Sequence, residues 1–183
     1  MFDGMPLHPL LVHAPLVLGV LAPFVALALW AAIAGRYLHH RIWWLVVVLH
    51  AVAFGGAVLA VKTGHVEHDR IETVVDHDKV EVHEERGENY RLALGVGLAL
   101  SLLTGLAFAD RKWGMRLGGV TVLAGFAAAW LGLGVGHSGS LLVYREGAAN
   151  YYVDPGTPTG PRVIRAAPGD SADAHAEAPD HQH

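Results

Sequence analysis

Seven histidines of this chain, His8, His13, His65, His68, His77, His83 and His137, fall in or beside segments that open onto one side of a membrane once the chain is threaded up and down. Neutral imidazole is a good ligand for iron, copper and zinc. Two chemistries follow. A b-type haem needs two axial imidazoles from opposite sides and an apolar slot between helices. His13, His83 and His137 come from three different helices at about one depth, so any two of them suit that role. A mononuclear zinc or copper site needs three or four ligands closer together, and His8, His65 and His68 are the candidates to complete one. The competing, structural reading is that histidines at helix ends cap backbone carbonyls.

The elements that position these residues are apolar. Residues 14–34, 42–61, 92–109 and 117–136 contain no Lys, Arg, Asp or Glu. A hydrocarbon core of about 30 Å takes roughly 20 helical residues, so each stretch predicts a membrane span, and the fold class is all-α: an integral membrane four-helix bundle. Pro9 and Pro15 suit a helix start, whereas Pro23 predicts a kink in the first span. Trp43 and Trp44 sit at interfacial depth. His50 lies near mid-bilayer and predicts a hydrogen bond to a neighbouring helix.

Residues 63–91 have only Gly64 and Gly87 as breakers, which predicts an extramembrane helical hairpin turning near residues 76–78. His65, His68, Asp69, Glu72 and Asp76 share one helical face; Glu72 and Asp76 read there as solvated charges. The fourth span carries Gly132 and Gly136 as a G-x-x-x-G, and Gly125 with Ala129 as a small-residue pair. Such faces let helices approach closely in lipid, here within the bundle. The membrane domain runs over residues 1–147. Residues 148–183 turn to Pro, Gly, Ala, Asp and Ser and predict a disordered, solubilising tail; weak binding of divalent metal by His175, His181 and His183 is the lesser alternative.

Composition narrows function. Hydrophobic residues make up 52% of the chain and charged residues 16%, in keeping with a lipid bilayer as partner. A net charge of −4 gives no footing for nucleic acid. Without cysteine there are no disulfides, thiolate metal sites, iron–sulfur clusters or covalently attached haem. The opening residues lack the basic start of a cleaved signal peptide, so the first span reads as a retained helix. Arg36, Arg41, Arg111, Lys112 and Arg116 are dense in the two short loops. The positive-inside rule then makes those loops cytoplasmic and both termini extracytoplasmic, in the cell (plasma) membrane.

Three local patterns stand out: HPLLVHAP at 8–15, His83 with Glu84 and Asn89 leading into the third span, and GVGHSGSLLVY at 134–144. Together, over about residues 6–147, they resemble the domain-of-unknown-function 2231 family of small bacterial four-span membrane proteins. The opening agrees through His8, Pro9, Val12, His13 and Pro15, and the exit through Gly136, His137, Gly139, Leu142, Val143 and Tyr144. Ser140 stands where that family usually has a second Gly. Some relatives carry fused Rieske or cytochrome c modules, so the resemblance implies extracytoplasmic electron-transfer partners of those types.

Three functions therefore compete: a haem- or metal-binding redox membrane subunit, a metal-ion permease or sensor collecting ions on the His- and acid-rich hairpin, and a non-catalytic assembly or anchoring subunit. The redox reading leads, because the spans lack the carboxylates of a cation path. No nucleophile–base pair or phosphate-binding loop argues for an enzyme. A serine beside His137, Ser138 or Ser140, carries little weight by itself.

Overall fold

The computed structural model describes residues 7–72 and 75–149, without the side chains of residues 7, 69 and 70. A short helix α1 (Leu7–Leu11) leads into α2 (His13–Ala34). A 3-10 turn (His40–Trp43) then opens α3 (Trp44–Ile71), followed by α4 (His77–Ala107) and α5 (Arg111–Tyr144). The fold is all-α, and all four long helices are long and apolar enough to cross a membrane. Each takes in one expected span, or nearly all of it, but only α2 keeps to its limits; α3, α4 and α5 run on beyond theirs by between six and fifteen residues. The tail beyond residue 149, with His175, His181 and His183, lies outside the described residues.

Small residues set the packing. Gly118, Gly125, Gly132 and Gly139 recur every seven residues on α5, and each receives a side chain from another helix: Trp30, Pro23, Tyr90 and His83 respectively. Seven residues are close to two helical turns, so the four form one stripe. The stripe makes α5 an internal packing surface, as expected, but the G-x-x-x-G pair does not carry it: Gly136 has open space where Gly132 has the Tyr90 ring. Tyr90 is the central knot. Its ring fits between Gly19 and Gly132, and its hydroxyl donates to Pro15 O at 2.9 Å, joining α2, α4 and α5.

Two expectations change. Trp43 is no interfacial anchor; it is fully buried and its indole N–H donates to Ser101 O at 3.0 Å. The 3-10 turn swings it into the core with Val46, Val47 and Phe108, leaving Trp44 half-exposed. His50 is buried against Gly97 of α4, but its hydrogen bond goes back to Val46 O of its own helix, at 2.9 Å.

The bundle has two distinct ends. At the loop end, Arg111 Nη2 donates to Ile33 O and Ala34 O, capping α2 from α5, while His40 stacks on Phe108. Helix α2 terminates in a Schellman turn, with Tyr37 N bonded to Ala32 O and Arg36 N to Ile33 O. Arg36 occupies its left-handed position at φ 62°, where glycine is usual and a side chain costs about 1–2 kcal/mol. The opposite end gathers most of the described histidines.

Candidate metal centre

Helices α3 and α4 run on past their apolar stretches, α3 ending at Ile71 and α4 beginning at His77, so the chain turns back between them. This turn lies a few residues earlier than the sequence suggests, because Asp76 takes an extended N-cap conformation and Asp78 places its charge in the first turn of α4, favourably towards the helix dipole. The end of the hairpin is anchored by apolar contacts. Val75 and Val80 are buried with Ala148, and Ile71 and Leu142 pack against them, so the segment after α5 holds the turn in place.

On this anchored turn, Glu72 is a hub. His68 Nε2 lies 2.6 Å from Glu72 Oε1, and His77 Nδ1 contacts the same oxygen. The donor atoms of His68, Glu72 and His77 all lie within 4.8 Å of one another. Each imidazole also turns its second nitrogen to another carboxylate: His68 Nδ1 is 2.8 Å from Glu84 Oε1, and His77 Nε2 is 3.9 Å from Glu81 Oε2. The Glu84 hydrogen bond, then the Glu84 and Glu72 charges, hold His68 above the ordinary imidazole range. Glu72 does the same for His77, and in return its own carboxyl is lowered, chiefly by the His77 hydrogen bond. Without metal, the cluster is thus a proton-rich network of imidazole and carboxylate.

A second group lies at the bundle rim. His83 Nδ1 is 2.9 Å from Ser138 Oγ, and the His8 ring meets His83 edge-on with centroids 6.2 Å apart. His8 in turn bonds Ala60 O through Nδ1 at 2.8 Å and lies close over Gly64. These contacts tie α1, α3, α4 and α5 together. Burial above all, then the neighbouring His8 charge, pushes His83 down to about 4, so it is neutral at physiological pH. Ser138 is buried and donates its own proton to Val135 O at 3.0 Å, which makes it the acceptor for His83 rather than a nucleophile activated by it.

Of the residues singled out by sequence, His13, His83 and His137 are not joined by any hydrogen bond or ring contact among the described residues. His13 is exposed and bonds Pro9 O at 2.7 Å, and His137 is exposed. Helix phase explains this: on α5 it is Ser138 and Gly139 that meet His83, one and two residues beyond His137. His65 is half-exposed and lies 3.7 Å from Glu88. His68 belongs to the hairpin cluster. Glu72, expected as a solvated charge, is its centre, and Glu84 faces His68. The i, i+4 spacing of His68 and Glu72 was the available signal; the partnership with His77 depends on where the turn falls.

Comparisons of the chain with protein-family models, with curated proteins and with solved structures gave no match.

Proposed function

We propose that this is a multi-pass protein of the cell membrane whose extracytoplasmic hairpin binds a divalent metal ion, zinc or copper, through His68, Glu72 and His77. The observation that carries the reading is two imidazoles converging on one Glu72 oxygen, one of them held from behind. His68 bonds Glu72 through Nε2 and Glu84 through Nδ1, while His77 bonds the same Glu72 oxygen and has Glu81 further off at 3.9 Å. Metal-ligating histidines are commonly oriented in this way by a second carboxylate. Tetrahedral zinc with donors at about 2.0–2.1 Å spaces them roughly 3.3 Å apart, so His68 and His77 need separate from Glu72 by about 1 Å or less. Water would supply the fourth ligand.

The spans contain no charged residue, which favours a collecting or sensing role over a permease. A haem held by two of His13, His83 and His137 is less well supported: two of these rings are exposed and the third is held against Ser138 and Gly139. We also propose kinship with the domain-of-unknown-function 2231 family. Its support is that the three patterns carrying the resemblance meet at one place, His8 on His83 and His83 on Ser138 and Gly139.

Calorimetric titration of the detergent-solubilised full chain with zinc chloride and with copper chloride tests the reading. One site is expected, weakened about 10–100-fold by Glu84→Gln, which loosens the carboxylate hold on His68 Nδ1, and more by His68→Ala or Glu72→Gln. Replacing His175, His181 and His183 by Asn should leave it intact. Equal affinity in wild type and Glu72→Gln would refute it.

A further inference from the structure

The loop end, remote from the histidine cluster, carries a cavity of about 420 Å³ whose polar wall is Arg36, His39, His40 and Arg111, with Tyr37 and Phe108 beside them. Five cationic residues, Arg36, Arg41, Arg111, Lys112 and Arg116, stand in or next to the two short loops against one acid, Asp110. That acid is already engaged, since its Oδ1 accepts from Lys112 N and caps α5.

The wall has donors to spare. The Arg36 guanidinium makes no hydrogen bond or ion pair among the described residues, although its backbone sits in the left-handed conformation at φ 62°. Arg111 uses Nη2 on the α2 carbonyls, which fixes the guanidinium and leaves its other N–H groups available. His39 Nδ1 accepts from Arg41 N, which leaves the proton on Nε2 as a further donor. The His39 and His40 rings pack against each other with centroids 4.1 Å apart, which fixes both at the cavity wall. Strain that the chain could relieve with glycine, at a residue lining a cavity beside a second, fixed guanidinium, is the pattern expected where binding sets the sequence.

We propose that this cavity binds the phosphate of an anionic phospholipid headgroup. A phosphate oxyanion is the shared chemistry of a lipid and of free phosphate. The surroundings favour the lipid: Leu38, Ile42 and Trp44 are 44%, 40% and 45% exposed near the cavity. Leu38 lines the cavity, and Ile42 and Trp44 follow its two histidines in the chain; exposed apolar side chains there suit glycerol and acyl chains, and basic pockets at the ends of membrane helices hold anionic headgroups.

Native mass spectrometry of the detergent-solubilised full chain, titrated with phosphatidylglycerol, phosphatidylcholine or inorganic phosphate, tests this. Phosphatidylglycerol should be retained over phosphatidylcholine. Arg36→Gly should weaken its retention about fivefold, the loss expected for one basic side chain near a headgroup, while leaving the melting temperature equal or higher because glycine suits the left-handed turn. Lys112→Gln removes the same charge outside the cavity and should change retention less than about twofold. Equal retention of the two lipids, or equal losses in the two variants, would overturn the proposal. Saturation by inorganic phosphate without preference between lipids would overturn the assignment to lipid.

Discussion

Glu72 shows how one carboxylate can organise a cluster of groups that are ordinary singly. His68 and His77 bind protons more tightly in the folded hairpin than in an unfolded chain. Their contribution to hairpin stability is therefore complete below pH 6.5 and fades as pH rises through their higher folded values. Glu72 has the opposite sign: its contribution is present above pH 4.5 and lost as pH falls through its lowered folded value. The metal-free hairpin should accordingly be firmest between pH 4.5 and 6.5. Metal must displace these protons, so zinc affinity should keep rising with pH above 6.5. His83 behaves differently, because burial lowers it from 6.5 to about 4. In that interval the unfolded chain takes up a proton that the fold refuses, which costs the bundle up to about 3 kcal/mol on acidification. Hydrogen exchange of residues 64–88 and thermal melts in detergent between pH 4 and pH 7 separate the two. The hairpin should hold while the bundle weakens, and His83→Gln should flatten the melting profile. A bundle melt independent of pH in wild type would contradict the burial argument.

At the scale of elements, α5 was only partly legible in the sequence. Its small residues announce close packing, but the G-x-x-x-G at Gly132 and Gly136 draws the eye away from the seven-residue row that meets Trp30, Pro23, Tyr90 and His83. A Cβ at position 132 would lie 2.9 Å from the Tyr90 ring, and at 136 it meets nothing within 4 Å. Gly132→Ala should therefore lower stability by about 1–3 kcal/mol through overpacking. Gly136→Ala should be neutral or raise it by up to about 1 kcal/mol, since alanine is the better helix former. Melting of the two variants in the same detergent decides the point, and a loss in Gly136→Ala as large as in Gly132→Ala would remove the row as the packing surface. The turn after α3 falls earlier than the sequence suggests partly for a related reason: besides the Asp76 N-cap, Val75 and Val80 bury against Ala148. Those contacts are long-range, and no local pattern reveals them.

At the scale of the molecule, the four spans were legible because an uncharged run of about 20 apolar residues has one physical reading. The helix pairing was not, since it follows from which small residues receive which rings. Connectivity alone places the loops at 35–39 and 108–110 at one end of the bundle and the hairpin at the other. The density of basic residues in those loops predicts that they face the cytoplasm. The chain has no cysteine, so single-cysteine labelling gives a clean answer. Glu85→Cys and Lys112→Cys, both at exposed positions, should label with an impermeant thiol reagent in intact cells at 85 and not at 112. The reverse pattern would place the metal centre on the cytoplasmic side.

The hairpin metal centre is tested most directly by X-ray absorption at the zinc edge on the zinc-loaded full chain. The predicted spectrum has four nitrogen or oxygen donors at about 2.0–2.1 Å, with outer-shell scattering from two imidazoles that falls to one in His77→Ala. An octahedral shell of oxygen donors, or a spectrum unchanged by His77→Ala, would contradict a site built on His68, Glu72 and His77.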